Sequence, residues 1–388
     1  MKKKLLVVIF ILALIIIGVF IYKCTQSTSR LESEYFTIEN GSYINQKLPV
    51  QEDGAVLISN LQLNKTVING GSNIINFTSS VLLGEALISA KEVDGYINVP
   101  LQHTYDEASK LYKYTMVLLL SQKLSEKFDL DMVVKAKDGT ISKPYNTGIN
   151  VVEAGTGSLQ VSLSWNLDDD VDLHVFEPDG TEIYYGSPFS FPDDLDMNKF
   201  YFDRNVWIVK KHKPDSDYDF DQSSLISRLK LKAVLFTLYG KVNMRKETAL
   251  YMREQNIAYS GELDIDSNAG CTIDGIRNEN IFYVKPEPGT YTVKIDLYSK
   301  CTTERNSAEG TKYAVTVKYN NEDMKLDTGK DQLTGQFPES MKSNGNRKEG
   351  LIDICTFTIP GERKAPVKKE KIDTDMSTYF DKVSGLLR

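Results

Sequence analysis

The 388-residue sequence predicts a mainly β protein: an N-terminal transmembrane helix followed by two β-sandwich (Ig-like or jelly-roll-like) domains, the second carrying a helical insertion. Three observations predict it. Residues 5–22, LLVVIFILALIIIGVFIY, run for 18 positions without a charge. Strand and turn signals recur every 8–12 residues over about 35–152, and strict apolar–polar alternation, the two-residue period of a strand, opens the part that follows. One stretch, about 187–259, breaks that period with helical spacing and capping residues. Composition sets outer bounds. Charged residues at 26% and aromatics at 10% exclude a disordered or collagen-like chain. A net charge of −7 argues against a dedicated nucleic-acid binder, and four cysteines are too few for a disulfide scaffold.

The N-terminal run comes first. Eighteen residues of helix rise about 27 Å, close to the hydrocarbon thickness of a bilayer. Lys2, Lys3 and Lys4 precede it, so the positive-inside bias keeps that end cytoplasmic and exports the body. Lys23 and Arg30 weaken the bias without reversing it. A cleaved signal peptide would need small residues where Phe20, Ile21, Tyr22 and Lys23 stand. The expectation is an uncleaved signal-anchor over residues 1–30 in a single-pass membrane protein whose body faces outward. The alternative is a lipoprotein at Cys24, although Ile21-Tyr22-Lys23 before it fits a small-residue lipobox poorly.

Residues 31–153 are expected to form the first sandwich. Val67-Ile68-Asn69-Gly70-Gly71 carries a turn signal; Ile74–Leu83, Ala86–Ile88, Tyr112–Leu120 and Phe128–Val134 read as strands; Lys137-Asp138-Gly139-Thr140 reads as a hairpin turn. This spacing suggests an immunoglobulin-like arrangement. Ala154-Gly155-Thr156-Gly157 breaks the pattern as a linker.

The second sandwich, 157–360, opens with strict alternation: Leu159, Val161, Leu163 and Trp165 point one way, Gln160, Ser162 and Ser164 the other. The next strand turns Val171, Leu173 and Val175 inward and Asp170, Asp172 and His174 outward. Glu177-Pro178-Asp179-Gly180 is a turn, and strand signals resume at Gly261–Asp266, Ile281–Val284, Thr290–Tyr298, Tyr313–Tyr319 and Leu351–Ile359. Between these lies the insertion. Residues 187–222 hold eight acids against five bases, and residues 223–259 hold seven bases against two acids. Ser224 caps a predicted helix over Leu225–Tyr239, ended by Gly240, and a second helix covers about 244–255. Leu225, Leu229, Ala233, Phe236 and Tyr239 are expected to pack against the sandwich. Arg228, Lys230, Lys232, Arg245 and Lys246 make a partner- or membrane-facing surface the alternative use of this hairpin. Residues 361–388 read as a mixed-charge linker and a short helix over Tyr379–Leu387.

Chemistry concentrates in two acidic segments. Asp168-Asp169-Asp170-Val171-Asp172-Leu173-His174 puts Asp170, Asp172 and His174 on one strand face. Glu262-Leu263-Asp264-Ile265-Asp266-Ser267-Asn268-Ala269-Gly270 gives Glu262, Asp264, Asp266 and Asn268 one parity. Aligned carboxylates repel unless solvent or a cation relieves them. A hard cation such as Ca²⁺ takes six to eight oxygens from carboxylates, amides and carbonyls. The D-x-D-x-N spacing resembles an EF-hand start, but its glycine is one place late and no glutamate stands at the twelfth position. A Ca²⁺ site at a sandwich edge is the expectation, with Asp170, Asp172, Asp264, Asp266 and Asn268 as oxygen donors and Glu279 as ligand or support. The bland alternative is a set of solvated acids with His174 bonded to a neighbouring carboxylate.

These blocks resemble the YfaP-like domain of bacterial exported proteins. The resemblance is carried by Leu163-Ser164-Trp165, Asp170-Val171-Asp172-Leu173-His174-Val175, Glu177-Pro178-Asp179-Gly180 and Ile183-Tyr184-Tyr185-Gly186. It resumes at Gly261-Glu262-Leu263-Asp264-Ile265-Asp266, Asn268-Ala269-Gly270-Cys271, Glu279-Asn280-Ile281 and Pro288-Gly289-Thr290-Tyr291. It covers about 130 residues, and the chain departs from it by an insertion of about 73 residues between the two acidic blocks. It implies a β-sandwich in a cell-envelope protein, partnered with macroglobulin-like or von Willebrand A-type proteins, and no known catalytic activity.

Enzyme signatures are thin. His103, His174 and His212 sit in unrelated contexts, and no G-x-S-x-G, H-E-x-x-H or P-loop occurs. Cys271, Cys301 and Cys355 are odd in number; Cys271–Cys301 is the favoured bridge in an oxidising compartment, with other pairings open. The expected function is therefore non-enzymatic: a membrane-anchored envelope protein that binds or scaffolds, in contact with a protein partner or a cell-surface glycan. The alternative is a glycan hydrolase or a protease-inhibitor accessory that uses the acidic cluster.

Overall fold

A strand places successive side chains on opposite faces, and the described residues form twenty-one strands. The computed structural model describes residues 29–191, 195–214, 218–257, 261–301, 310–324, 326–327, 333–343 and 350–361. The expected membrane run at 5–22, Cys24 and the terminal helix at 379–387 lie outside these residues. Among the described residues no helix is long and apolar enough to cross a membrane.

The first eleven strands are β1 (Phe36–Ile38), β2 (Ser42–Ile44), β3 (Ser59–Gln62), β4 (Thr66–Ile68), β5 (Ser72–Ser79), β6 (Leu83–Ala90), β7 (Tyr96–Pro100), β8 (His103–Asp106), β9 (Leu111–Leu120), β10 (Phe128–Ala136) and β11 (Tyr145–Val152). They form two sheets, ordered β1-β9-β5-β3 with β8 added on β9, and β2-β7-β6-β10-β11-β4. Phe77 of β5 stacks on Tyr114 of β9 with centroids 5.1 Å apart, and the Tyr114 hydroxyl accepts the Leu83 N–H at 2.8 Å. Buried aromatic packing and a satisfied phenol thus coincide at one position.

The later strands are β12 (Leu159–Trp165), β13 (Asp170–Phe176), β14 (Glu182–Ile183), β15 (Gly261–Ile265), β16 (Asn278–Tyr283), β17 (Gly289–Ser299), β18 (Lys312–Tyr319), β19 (Glu322–Asp323), β20 (Thr334–Gln336) and β21 (Ile352–Ile359). One sheet runs β15-β16-β12-β18-β19 with β20 on β18; the other runs β14-β13-β17-β21. Both contribute to one core, in which Leu163 and Trp165 of β12, Leu173 of β13 and Ile295 of β17 are all buried. Two sheets that share a core form the β-sandwich arrangement, so the chain is mainly β as expected. The Trp165 indole, fully buried, donates to the Asp169 carbonyl at 2.9 Å. By residue contacts the described residues divide into two compact units, one holding 29–60, Phe77–Tyr114 and Phe128–Gly148, the other holding Leu61–Asn76, Thr115–Lys127 and the described residues from Ile149 on.

The alternation read for β12 is present, but its polar face is as buried as its apolar one. Burial of polar side chains requires partners. Gln160 donates to the Asn69 carbonyl at 2.8 Å, Ser162 donates to Asn280 at 2.8 Å, and Ser164 shares a 2.6 Å bond with Ser72.

The insertion holds three helices where the sequence suggested two: α1 (Met197–His212), α2 (Leu225–Phe236) and α3 (Met244–Glu254). Asp196, Ser224 and Asn243 cap them by accepting the N–H three residues on. The expected inward face of α2 is the wrong one. Leu225, Leu229 and Phe236 are 62%, 56% and 65% exposed, whereas Leu231, Leu235 and Leu238 are buried against Ile208 and Val209 of α1. Two apolar stripes at helical spacing compete in this segment, and the helices pack on one another through the stripe that α1 can meet. Leu235→Ala is therefore expected to cost about 2–5 kcal/mol and Leu229→Ala less than about 0.5 kcal/mol, measured by urea denaturation. The reverse order would contradict this packing.

Candidate metal centre

The outward side chains of β13 meet those of β17 through strand register. Asp172 stands directly opposite Asp296, and His174 opposite Lys294. Lys294 turns away to pair with Asp353 at 2.8 Å. Asp170, Asp172, His174 and Asp296 are nonetheless all buried. Like charges directly across a strand pair are destabilising, so this juxtaposition needs a cause.

Two further carboxyls arrive from the other sheet. Glu279 of β16 reaches across to accept the Leu173 N–H at 2.6 Å, and Asp266 follows the end of β15. One donor atom each of Asp172, Asp266 and Glu279 lie within 4.8 Å of one another, and so do those of Asp172, His174 and Asp296. Asp172 belongs to both groups. Glu279 is fully buried, and its Oε1, like Asp266 Oδ1 and Asp170 Oδ1, meets no N–H or hydroxyl donor among the described residues; Glu279 and Asp266 instead face each other carboxyl to carboxyl.

The loop after β15 closes the site. Asn268, Gly270 and Cys271 all take positive φ, near +60°. That backbone turns the Gly270 N–H onto Asp170 Oδ2 at 2.8 Å, a nest-like cradle for an anion. Positive φ at Asn268 and Cys271 costs on the order of 1 kcal/mol each, and two devices hold it. Asn268 spends its amide within the fold, donating to the Asp169 carbonyl at 3.0 Å and accepting the Asp274 N–H at 3.2 Å. Cys271 is bonded to Cys301, just past β17, with the two Cα atoms 5.4 Å apart. Cys355 stays outside that bridge, buried in the core. The neighbouring acids are also structural. Asp168 pairs with Arg277 at 2.7 Å, and Asp169 accepts the Cys301 N–H at 2.9 Å and the Thr311 hydroxyl.

The insertion brings a positive charge to the site. Arg245 of α3 lies 3.3 Å from Asp266 Oδ2. Burial still dominates the titration. It pushes the Glu279 carboxyl well above the usual carboxylate range, and the neighbouring Asp172 and Asp266 push it further. Burial raises Asp266 as well, against the opposing pull of Arg245, and raises Asp170 to about 6 against the Gly270 N–H. Two ionised carboxyls 4.8 Å apart repel by roughly 3.5 kcal/mol at an effective dielectric near 20. Three ionised carboxyls in one buried group need offsetting positive charge or a retained proton.

Of the six expected ligands, Asp172, Asp266 and Glu279 come together and Asp170 lies beside them in its cradle. Asp264 does not join. A register shift between Leu263 and Ile265 turns it to Gly155 N–H and Asn280, at 2.6 and 2.7 Å, where it braces the chain entering β12. Asn268 is a loop brace. Asp296 and the coordinating potential of His174 escaped the ligand set. Their signal was a polar residue at mid-strand between core positions, visible at Asp296 between Ile295 and Leu297, but the register that joins β17 to β13 is not.

Carboxyls that are raised in the folded chain titrate near pH 4 when unfolded. Between those values the folded chain holds more protons, so stability falls as pH rises. With divalent ions chelated, the melting midpoint is expected to fall steadily from about pH 4.5 to 7, through the Asp170 value of about 6. A rising midpoint over that interval would contradict the buried-carboxyl reading.

No protein-family model matches the sequence, and no curated protein matches it.

Proposed function

We propose that this chain is a membrane-anchored envelope protein that binds or scaffolds, and that a buried divalent cation, Ca²⁺ in the first instance, stiffens its later β-sandwich. The observation that carries the cation is the grouping of Asp172, Asp266 and the fully buried Glu279, in which the Glu279 carboxyl meets the Asp266 carboxyl instead of a neutral donor. A set built only of carboxylates selects a hard cation. Its charge offsets the repulsion that burial otherwise leaves to protons, and it ties β13 of one sheet to β15 and β16 of the other.

The Cys271–Cys301 disulfide supports an exported body, because such bonds persist in oxidising compartments. The uncharged run at 5–22 supports an anchor. The YfaP-like blocks support an envelope sandwich of Ig-like or jelly-roll-like type, in contact with a macroglobulin-like or von Willebrand A-type protein or with a cell-surface glycan. Hydrolysis by the same acidic cluster requires a substrate to reach it, and Asp172, Glu279 and Asp296 are buried. The binding role is therefore the better supported.

The test is thermal melting of the full chain in detergent, stripped with chelator and then given millimolar Ca²⁺. Binding to the native state alone adds RT ln(1 + [L]/Kd), about 2.7 kcal/mol at a hundredfold excess over Kd. The wild-type midpoint is expected to rise and that of Glu279→Gln to stay put. Asp264→Ala, which only loses its bonds to Gly155 and Asn280, should melt lower yet keep the full Ca²⁺ response. An unchanged wild-type midpoint with Ca²⁺, Mg²⁺ and Mn²⁺ would reject the cation.

A further inference from the structure

His174 is the feature that the three-carboxylate site does not explain. Strand alternation places it on the same face as Asp172, two residues away, and register places Asp296 opposite Asp172. All three are buried, and one donor atom of each lies within 4.8 Å of the others. The ring is fixed on two sides. Nδ1 sits 2.7 Å from Glu182 Oε1, and the imidazole stacks on Tyr184 with centroids 5.2 Å apart and planes 12° apart. Gly186 makes room for that stack, since a Cβ there would lie 2.6 Å from the Tyr184 ring. Nδ1 is thus engaged by the Glu182 carboxylate, and Nε2 is the nitrogen left open to a ligand.

Nε2 is buried and has no hydrogen-bond partner among the described residues. A carboxylate that orients a buried imidazole whose other nitrogen is left open is the arrangement that supports metal-ligating histidines. One imidazole and two carboxylates suit first-row transition ions better than Ca²⁺, which prefers oxygen alone.

We propose that Asp172, His174 and Asp296 form a second coordination site, for a transition-metal dication of the Mn²⁺, Co²⁺ or Zn²⁺ class, with Asp172 shared between it and the carboxylate site. The proposal stands on His174 Nε2 and not on the Ca²⁺ reading, so either can fail alone. Glu182 is a positioning residue: it acts on the metal through His174.

The probe is Co²⁺, titrated into the chelator-stripped full chain in detergent. Wild type should bind it with a visible absorption band, and its cobalt X-ray absorption should contain imidazole scattering. His174→Gln and Asp296→Asn are expected to weaken that binding at least tenfold. Glu182→Gln should weaken it about 10–100-fold. His174→Gln should keep the Ca²⁺-dependent rise in melting temperature if the carboxylate site is real. Absence of Co²⁺ binding by wild type, equal binding by His174→Gln, or bound cobalt without imidazole scattering would each overturn the proposal. The scattering measurement on wild type decides the matter even if a variant fails to fold.

Discussion

Carboxyl groups held out of water are the constraint on which the later β-sandwich depends. Asp170, Asp172, Glu279 and Asp296 are buried and Asp266 nearly so, on a sheet face that alternation alone would leave wet. Ionised groups lose hydration on burial and repel their like neighbours. The surrounding structure answers this group by group: the Gly270 N–H cradles Asp170, the Leu173 N–H meets Glu279, and Arg245 approaches Asp266. Each of these meets one oxygen of its carboxyl with a donor.

The same arrangement explains why the covalent and helical additions sit where they do. The disulfide ties the strained 268–271 loop to the end of β17, the two segments that flank the acids. The insertion leaves after β14 and returns at β15, so its 73 positions open between the two acidic blocks without separating them. Arg245 then ties α3 back to the cluster.

What the sequence carried was periodic or local. Alternation at 159–165 and 170–176 places those strands and both their faces, because a two-residue period is fixed by the backbone. Ser224 marks the start of α2, because a cap acts on its own turn. What it hid was set by partners distant in sequence. A bulge removed Asp264 from the parity that had grouped it with Asp266, and register alone brought Asp296 to Asp172. The inward face of α2 depended on α1, which carries its signals weakly in a mixed-charge segment. Half of the site was thus readable as two acidic blocks, and the rest existed only once two sheets were packed.

A bound metal ion and retained protons are the two ways to balance these buried carboxyls. Equilibrium dialysis of the full chain against calcium at pH 7, followed by elemental analysis, separates them. With a bound metal, about one tightly held calcium per chain is expected in wild type and none in Glu279→Gln. A wild-type chain that emerges calcium-free and correctly folded would contradict the bound metal and leave protons as the neutralising species.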